Sequence, residues 1–119
     1  MKELNILGNL WEMEYHSHNE DKILDDCDGY CDWTTRTIVV EKELEGNLGN
    51  MTAYINKVAR HEIVHAYLLE CGLAESSCGT DAWANNDEMV DWFARLGPQI
   101  CITWMTAGVF GRELVEEQP

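Results

Sequence analysis

Apolar positions alternate with polar ones through the first third of the chain and recur at helical spacing beyond residue 50. In KELNILG the alternating residues are Leu4 and Ile6; in NLWEMEY they are Leu10, Met13 and Tyr15, with Trp11 a further candidate. Gly8-Asn9 between the two stretches is a turn signal, so they predict a hairpin. Residues 16–28, HSHNEDKILDDCD, are polar and predict a loop or a short helix. GYCDWTTRTIVVEKE predicts a second hairpin, most strand-like at Thr37–Val40, where β-branched residues cluster. A long helix follows from about Met51 to Cys71, with Asn50 as its N-cap and Gly72 just past its end. Residues 73–83 form a loop in this reading. A second helix begins near Ala84 and is broken or kinked at Gly97-Pro98, because proline clashes with the preceding turn. A further helical segment covers Gln99 to about Ala107, and the tail GRELVEEQP frays. The expectation is one α+β domain spanning 1–119, a small antiparallel sheet packed on two helices.

On the wheel of the first helix, Thr52, Asn56, Arg60 and Glu70 form a polar stripe, taken as the solvent face. His61 and His65 fall opposite it, with Tyr54, Val58 and Leu68, and so are expected to point inward. Burial is costly for such groups unless they have partners. Their i, i+4 spacing puts one ring above the other, where two imidazoles can grip a tetrahedral cation at Zn–N distances of about 2.0–2.1 Å. Glu62 lies roughly 100° further round, within reach of a water in an open coordination position. The RHEIVHA stretch is thus the HExxH pattern of zinc hydrolases. A catalytic zinc needs a third protein ligand. Cys71 rotates away from the pair and reads as a structural thiol. The better candidates lie in WANNDEMVDWFARLG: Asp87 or Glu88 as ligand, and Asp91 taking the free N–H of a ligand histidine.

Eight basic residues against twenty-two acidic ones leave a net charge of -14. Such a surface repels nucleic-acid phosphates and anionic membranes and suits cations or basic peptides. No signal peptide is evident, and no stretch approaches the ~20 apolar residues of a membrane span. The five cysteines therefore read as mostly reduced thiols in a cytoplasm. The Cys27/Cys31 pair reads as thiols near a turn, His16 and His18 as exposed polar residues on a strand end, and Trp83, Trp92, Phe93 and Trp104 as core.

DGYCDWTTRTIVV, RHEIVHAYLLECGL and NNDEMVDWFA together resemble the gluzincin class of zinc metallopeptidases. The nearer likeness is to small phage- and prophage-encoded proteins related to the ImmA/IrrE type. The resemblance implies a minimal zincin-like fold, Zn²⁺ as cofactor, and hydrolysis of a peptide or protein substrate. It implies His61 and His65 as zinc ligands and Glu62 as the catalytic glutamate. Asn86-Asp87 and Asp91 match the second gluzincin motif in register, with aspartate where that motif has its ligand glutamate, so Asp87 and Glu88 both stay open as third ligand. No histidine follows His65 to steady an oxyanion, so that part is missing or supplied by Tyr30, Tyr54 or Tyr67. Substrate would lie along an exposed strand edge, placed at Thr37–Val40, on a monomer or weak homo-oligomer in the bacterial host. The alternative expectation is a non-catalytic, zinc-stabilised regulatory module acting through its acidic surface.

Overall fold

A computed structural model describes residues 1–43, 48–76 and 87–110, apart from the side chains of residues 75, 76, 87 and 90. Strands β1 (Lys2–Ile6) and β2 (Asn9–His16) pair antiparallel with Leu4 opposite Trp11 and Ile6 opposite Asn9. The turn sits at Leu7-Gly8, one residue before the expected place. Both residues have positive φ, 52° and 85°, the backbone of a two-residue turn whose twist matches the strands it joins. Gly8 takes that conformation freely, and its N–H donates to Asn5 Oδ1 at 2.8 Å. The register turns Leu4, Ile6, Trp11 and Met13 into the core and leaves Leu10 and Tyr15 exposed.

After β2 the chain makes a 3-10 turn, Lys22–Asp25, capped by Asp21 and anchored by buried Leu24. It then forms the second hairpin, β3 (Gly29–Asp32) and β4 (Thr37–Glu41). The sheet order is β1-β2-β4-β3, with β4 parallel to β2. The sheet is therefore mixed, not antiparallel throughout. Each hairpin is antiparallel, but the two join through their most apolar strand. Ile38, Val39 and Val40 are at most 1% exposed, and only an interior strand covers both faces of such a run. β3, with all four residues only partly buried, takes the edge. This overturns Thr37–Val40 as a substrate-binding edge; among the described residues the outer strands of the sheet are β1 and β3.

Helix α1 (Met51–Glu70) starts where Asn50 accepts a hydrogen bond from the Ala53 N–H at 3.0 Å. It ends ahead of Gly72, whose φ of +84° suits a residue just past a helix end. Its buried stripe is Val58, Ala59, Glu62, Ile63, Ala66 and Tyr67, which joins Ile38, Val40, Trp11 and Met13 in one core. Each fully buried aliphatic contributes roughly 1.5–3 kcal/mol. The polar stripe expected to face solvent is exposed at Thr52 but half-buried at Asn56, Arg60 and Glu70. Arg60 Nη1 donates to the Val109 carbonyl at 3.1 Å. Glu70 accepts from Trp11 Nε1 at 2.7 Å, from Asn9 Nδ2 at 2.9 Å and from Arg36 Nε.

One helical turn, α2 (Leu73–Ser76), occupies the start of the expected loop. Helix α3 (Asp87–Ala107) runs unbroken through Pro98. The proline takes the Ala94 carbonyl's helical partner away, but Ala94 and Pro98 are both exposed, so water can serve that carbonyl. Buried Ile100, Thr103 and Ala107 hold the following turns against the core. Tyr67 Oη donates to the Gln99 carbonyl at 3.2 Å and lies 2.7 Å from Thr103 Oγ1, pinning α1 to α3. Trp92 and Trp104 pack against the core as expected, whereas Phe93 is 47% exposed. The expected helix start at Ala84, Trp83 and the tail lie outside the described residues. Among the described residues no helix is long and apolar enough to cross a membrane.

Candidate metal centre

His61 and His65 stand one turn apart on α1, on the flank of its buried stripe, and both are exposed. This corrects the inward orientation expected from polarity. Once Arg60 and Glu70 find partners inside, the helix settles with its histidines outward, at the mouth of a cleft. The rings meet edge to face with centroids 4.6 Å apart, and their Nε2 atoms are 3.0 Å apart. Two nitrogens on a tetrahedral zinc at 2.0–2.1 Å are separated by roughly 3.3–3.4 Å. A few tenths of an ångström of ring rotation would bring the pair to that spacing.

Glu62, the next residue along, is 7% exposed and forms the inner wall of the same cleft of about 390 Å³. Two residues of β3 shape its surroundings. Cys31 Sγ donates to the Glu62 carbonyl at 3.1 Å and sits 3.6 Å from Oε1. Gly29 is needed for close approach: a Cβ there would lie 3.1 Å from Glu62 Cγ and 3.0 Å from the Val39 carbonyl oxygen. Cys27, Asp28, Tyr54, Lys57 and Val58 complete the lining. Burial first, then the charge and hydrogen bond of Glu62, push the Cys31 thiol far above the usual range. Burial likewise raises Cys27, with Glu62, Asp28 and Asp26 adding to the effect and a backbone hydrogen bond from Gly29 opposing it. Both stay protonated near neutral pH, and both are free cysteines.

Of the three candidate tyrosines only Tyr54 reaches the cleft, and its hydroxyl donates to Asp28 Oδ2. That bond raises its pKa, with the Asp28 charge and burial adding. Tyr30 donates to Asp21 on the far side of β3, and Tyr67 is buried against α3. Glu88 is exposed, and Asp91, 67% exposed, pairs with Arg95 Nε at 3.0 Å instead of steadying a histidine. Among the described residues no group of three His, Cys, Asp or Glu side chains gathers around one point. Asn86 and the Asp87 side chain lie outside those residues. The HxH pair does not converge either: His16 Nδ1 faces Asp21 Oδ2 at 2.9 Å, and His18 Nδ1 faces Glu41 Oε2 at 3.4 Å.

Gly29, Asp28, Cys31 and Lys57 were not among the expected site residues. Cys31 had a readable signal, since it lies opposite Ile38 in the ladder and shares that residue's helix-facing side. The approach of Gly29 to Glu62 depends on how α1 crosses the sheet and has no local signature. Compared with protein-family models, curated proteins and solved structures, the chain matches none.

Proposed function

We propose that this cleft is the centre of a zinc-dependent peptidase. One observation carries the reading: two Nε2 atoms 3.0 Å apart at the mouth of a cleft whose inner wall is a buried carboxylate from the same helix. Bound there, zinc would supply Lewis acidity, acidifying a water toward a pKa of ~7 and polarising a peptide carbonyl. His61 and His65 hold the ion. Glu62 takes the proton of the attacking water on Oε2, since Oε1 faces Cys31, and returns it to the departing amine nitrogen. Burial against Gly29 and Cys31 keeps that carboxylate in place between the two transfers. Tyr54 would supply a hydroxyl to steady the carbonyl oxygen by turning its O–H away from Asp28. An extended peptide would pair with the outer edge of β3, which borders the cleft. The third ligand is assigned to the first turn of α3, to Asp87 or to Glu88; Glu88 would have to move to serve.

The test compares purified wild type with Glu62→Gln and His65→Ala for zinc content and for hydrolysis of an unfolded protein substrate. The expected result is equimolar zinc in wild type and Glu62→Gln, none in His65→Ala, and turnover reduced roughly 10²–10⁴-fold in Glu62→Gln. Wild type that takes up no zinc overturns the reading. A second reading, a non-catalytic zinc-stabilised regulatory module, is favoured by the burial of Glu62, which resembles that of a structural group. It predicts zinc binding with no hydrolysis by any variant.

A further inference from the structure

Among the described residues, Lys57 is the one lysine or arginine lining the cleft, and it is exposed, in a chain with a net charge of -14. The neighbouring charges are spoken for. Asp28 accepts the Tyr54 hydroxyl, and Glu62 is packed against Cys31 and Gly29. Elsewhere Arg36 pairs with Glu70, Lys42 with Glu20 and Arg95 with Asp91, Lys2 and Arg60 donate to the Thr106 and Val109 carbonyls, and exposed Lys22 lies on the 3-10 turn outside the cleft. Lys57 makes no ion pair among the described residues. Its Nζ lies over the Tyr54 ring, 6.0 Å from the centroid. So an exposed ammonium, steadied by an aromatic face, stands one turn before His61, roughly 6 Å along the helix axis. At about 3.3 Å per residue, an extended peptide covers that distance in two residues.

We propose that Lys57 is a specificity-determining residue that binds a carboxylate of the peptide, one or two residues from the bond at the histidine pair. This rests on the peptidase reading of the cleft. A single ammonium in a cleft that also holds Asp28 and Glu62 suits a singly charged carboxylate, whereas a phosphate, carrying more charge, would be repelled more strongly by those acids. The overall negative charge does not cancel this preference, because at physiological ionic strength distant charges are screened beyond about 8 Å. The carboxylate can be an acidic side chain or the peptide's own C-terminus, since both present the same group.

Three probes separate these sources: a fully blocked alanine tetrapeptide, the same peptide with glutamate at its third position, and the same peptide with a free C-terminus. Each is titrated by NMR into wild type, Lys57→Ala and Lys57→Glu, with and without one equivalent of zinc. Lys57 is exposed, so both variants keep the core intact. At least one carboxylate probe is expected to bind wild type roughly two- to fivefold more tightly than the blocked peptide. That advantage disappears in Lys57→Ala and reverses in Lys57→Glu. Equal binding of all three probes to wild type, or a preference that survives Lys57→Glu, overturns the proposal. The zinc-free arm keeps the two readings apart. If zinc fails to bind, the peptidase reading falls, while the carboxylate preference is still measured directly.

Discussion

Glu62 is part of the core, and under the proposed reading it also carries the chemistry. A buried carboxylate is expensive without partners, and this one is held by a thiol and by a glycine that lets β3 approach it. Gly29→Ala is expected to force a Cβ into contacts of 3.0 and 3.1 Å, displacing the carboxylate or the strand. The cost should be roughly 1–3 kcal/mol, as for other overpacked sites, measured by urea unfolding. Zinc affinity should fall much less, because the histidines are exposed at the mouth of the cleft, whereas the added Cβ meets Glu62, Val39 and Val58. Cys31→Ser tests the thiol separately: a hydroxyl is shorter and a stronger donor, so stability should change by about 1 kcal/mol or less while turnover changes more. Equal loss of zinc binding and stability in either variant would mean that Glu62 and the histidine pair are not independent parts.

At the scale of elements, α1 is held by its ends as much as by its stripe. Glu70 closes its last turn against β2 and the β3–β4 turn through Trp11, Asn9 and Arg36. Burial alone would raise its pKa, but those hydrogen bonds and the Arg36 charge outweigh it and hold the carboxyl below its ordinary 4.5. A carboxyl depressed on folding contributes stability above its unfolded pKa and loses it as pH falls through the folded value. Glu70→Gln should therefore be destabilised by roughly 1–3 kcal/mol near neutral pH, with the gap to wild type closing as pH drops below about 4. Acid titrations of both proteins by circular dichroism check this, and a gap constant in pH would rule the carboxylate out. The same residue explains where the sequence was legible. The two ends of α1 and both hairpins carry local signals, Asn50 and Gly72 among them, and they lie where expected but for the one-residue shift of the first turn. The rotation of α1 was misread because its polarity depends on partners in distant strands. The parallel β2–β4 pairing was likewise invisible locally, since it follows from competition between strands for the sheet interior. The helix through Pro98 persists because tertiary burial of Ile100 and Thr103 exceeds the penalty of one lost hydrogen bond.

Across the whole molecule, the balance of charge bears on both stability and metal binding. Twenty-two acidic residues against eight basic ones make the compact state repel itself. A divalent cation bound at His61 and His65 adds positive charge at a cleft flanked by Asp28 and Glu62, so it relieves repulsion as well as tying down α1. An ion that binds the folded chain alone, at a hundred times its dissociation constant, stabilises it by about 2.7 kcal/mol. Salt acts on the first effect only, since shortening the Debye length from about 30 Å to about 8 Å screens repulsion without replacing a ligand. Thermal melts should thus show two separable increments. Sodium chloride raises Tm in wild type and His65→Ala alike, whereas zinc raises it in wild type and not in His65→Ala. If zinc shifted both equally, the ion would be condensing on the acidic surface at large, and the histidine pair would have no special hold on it.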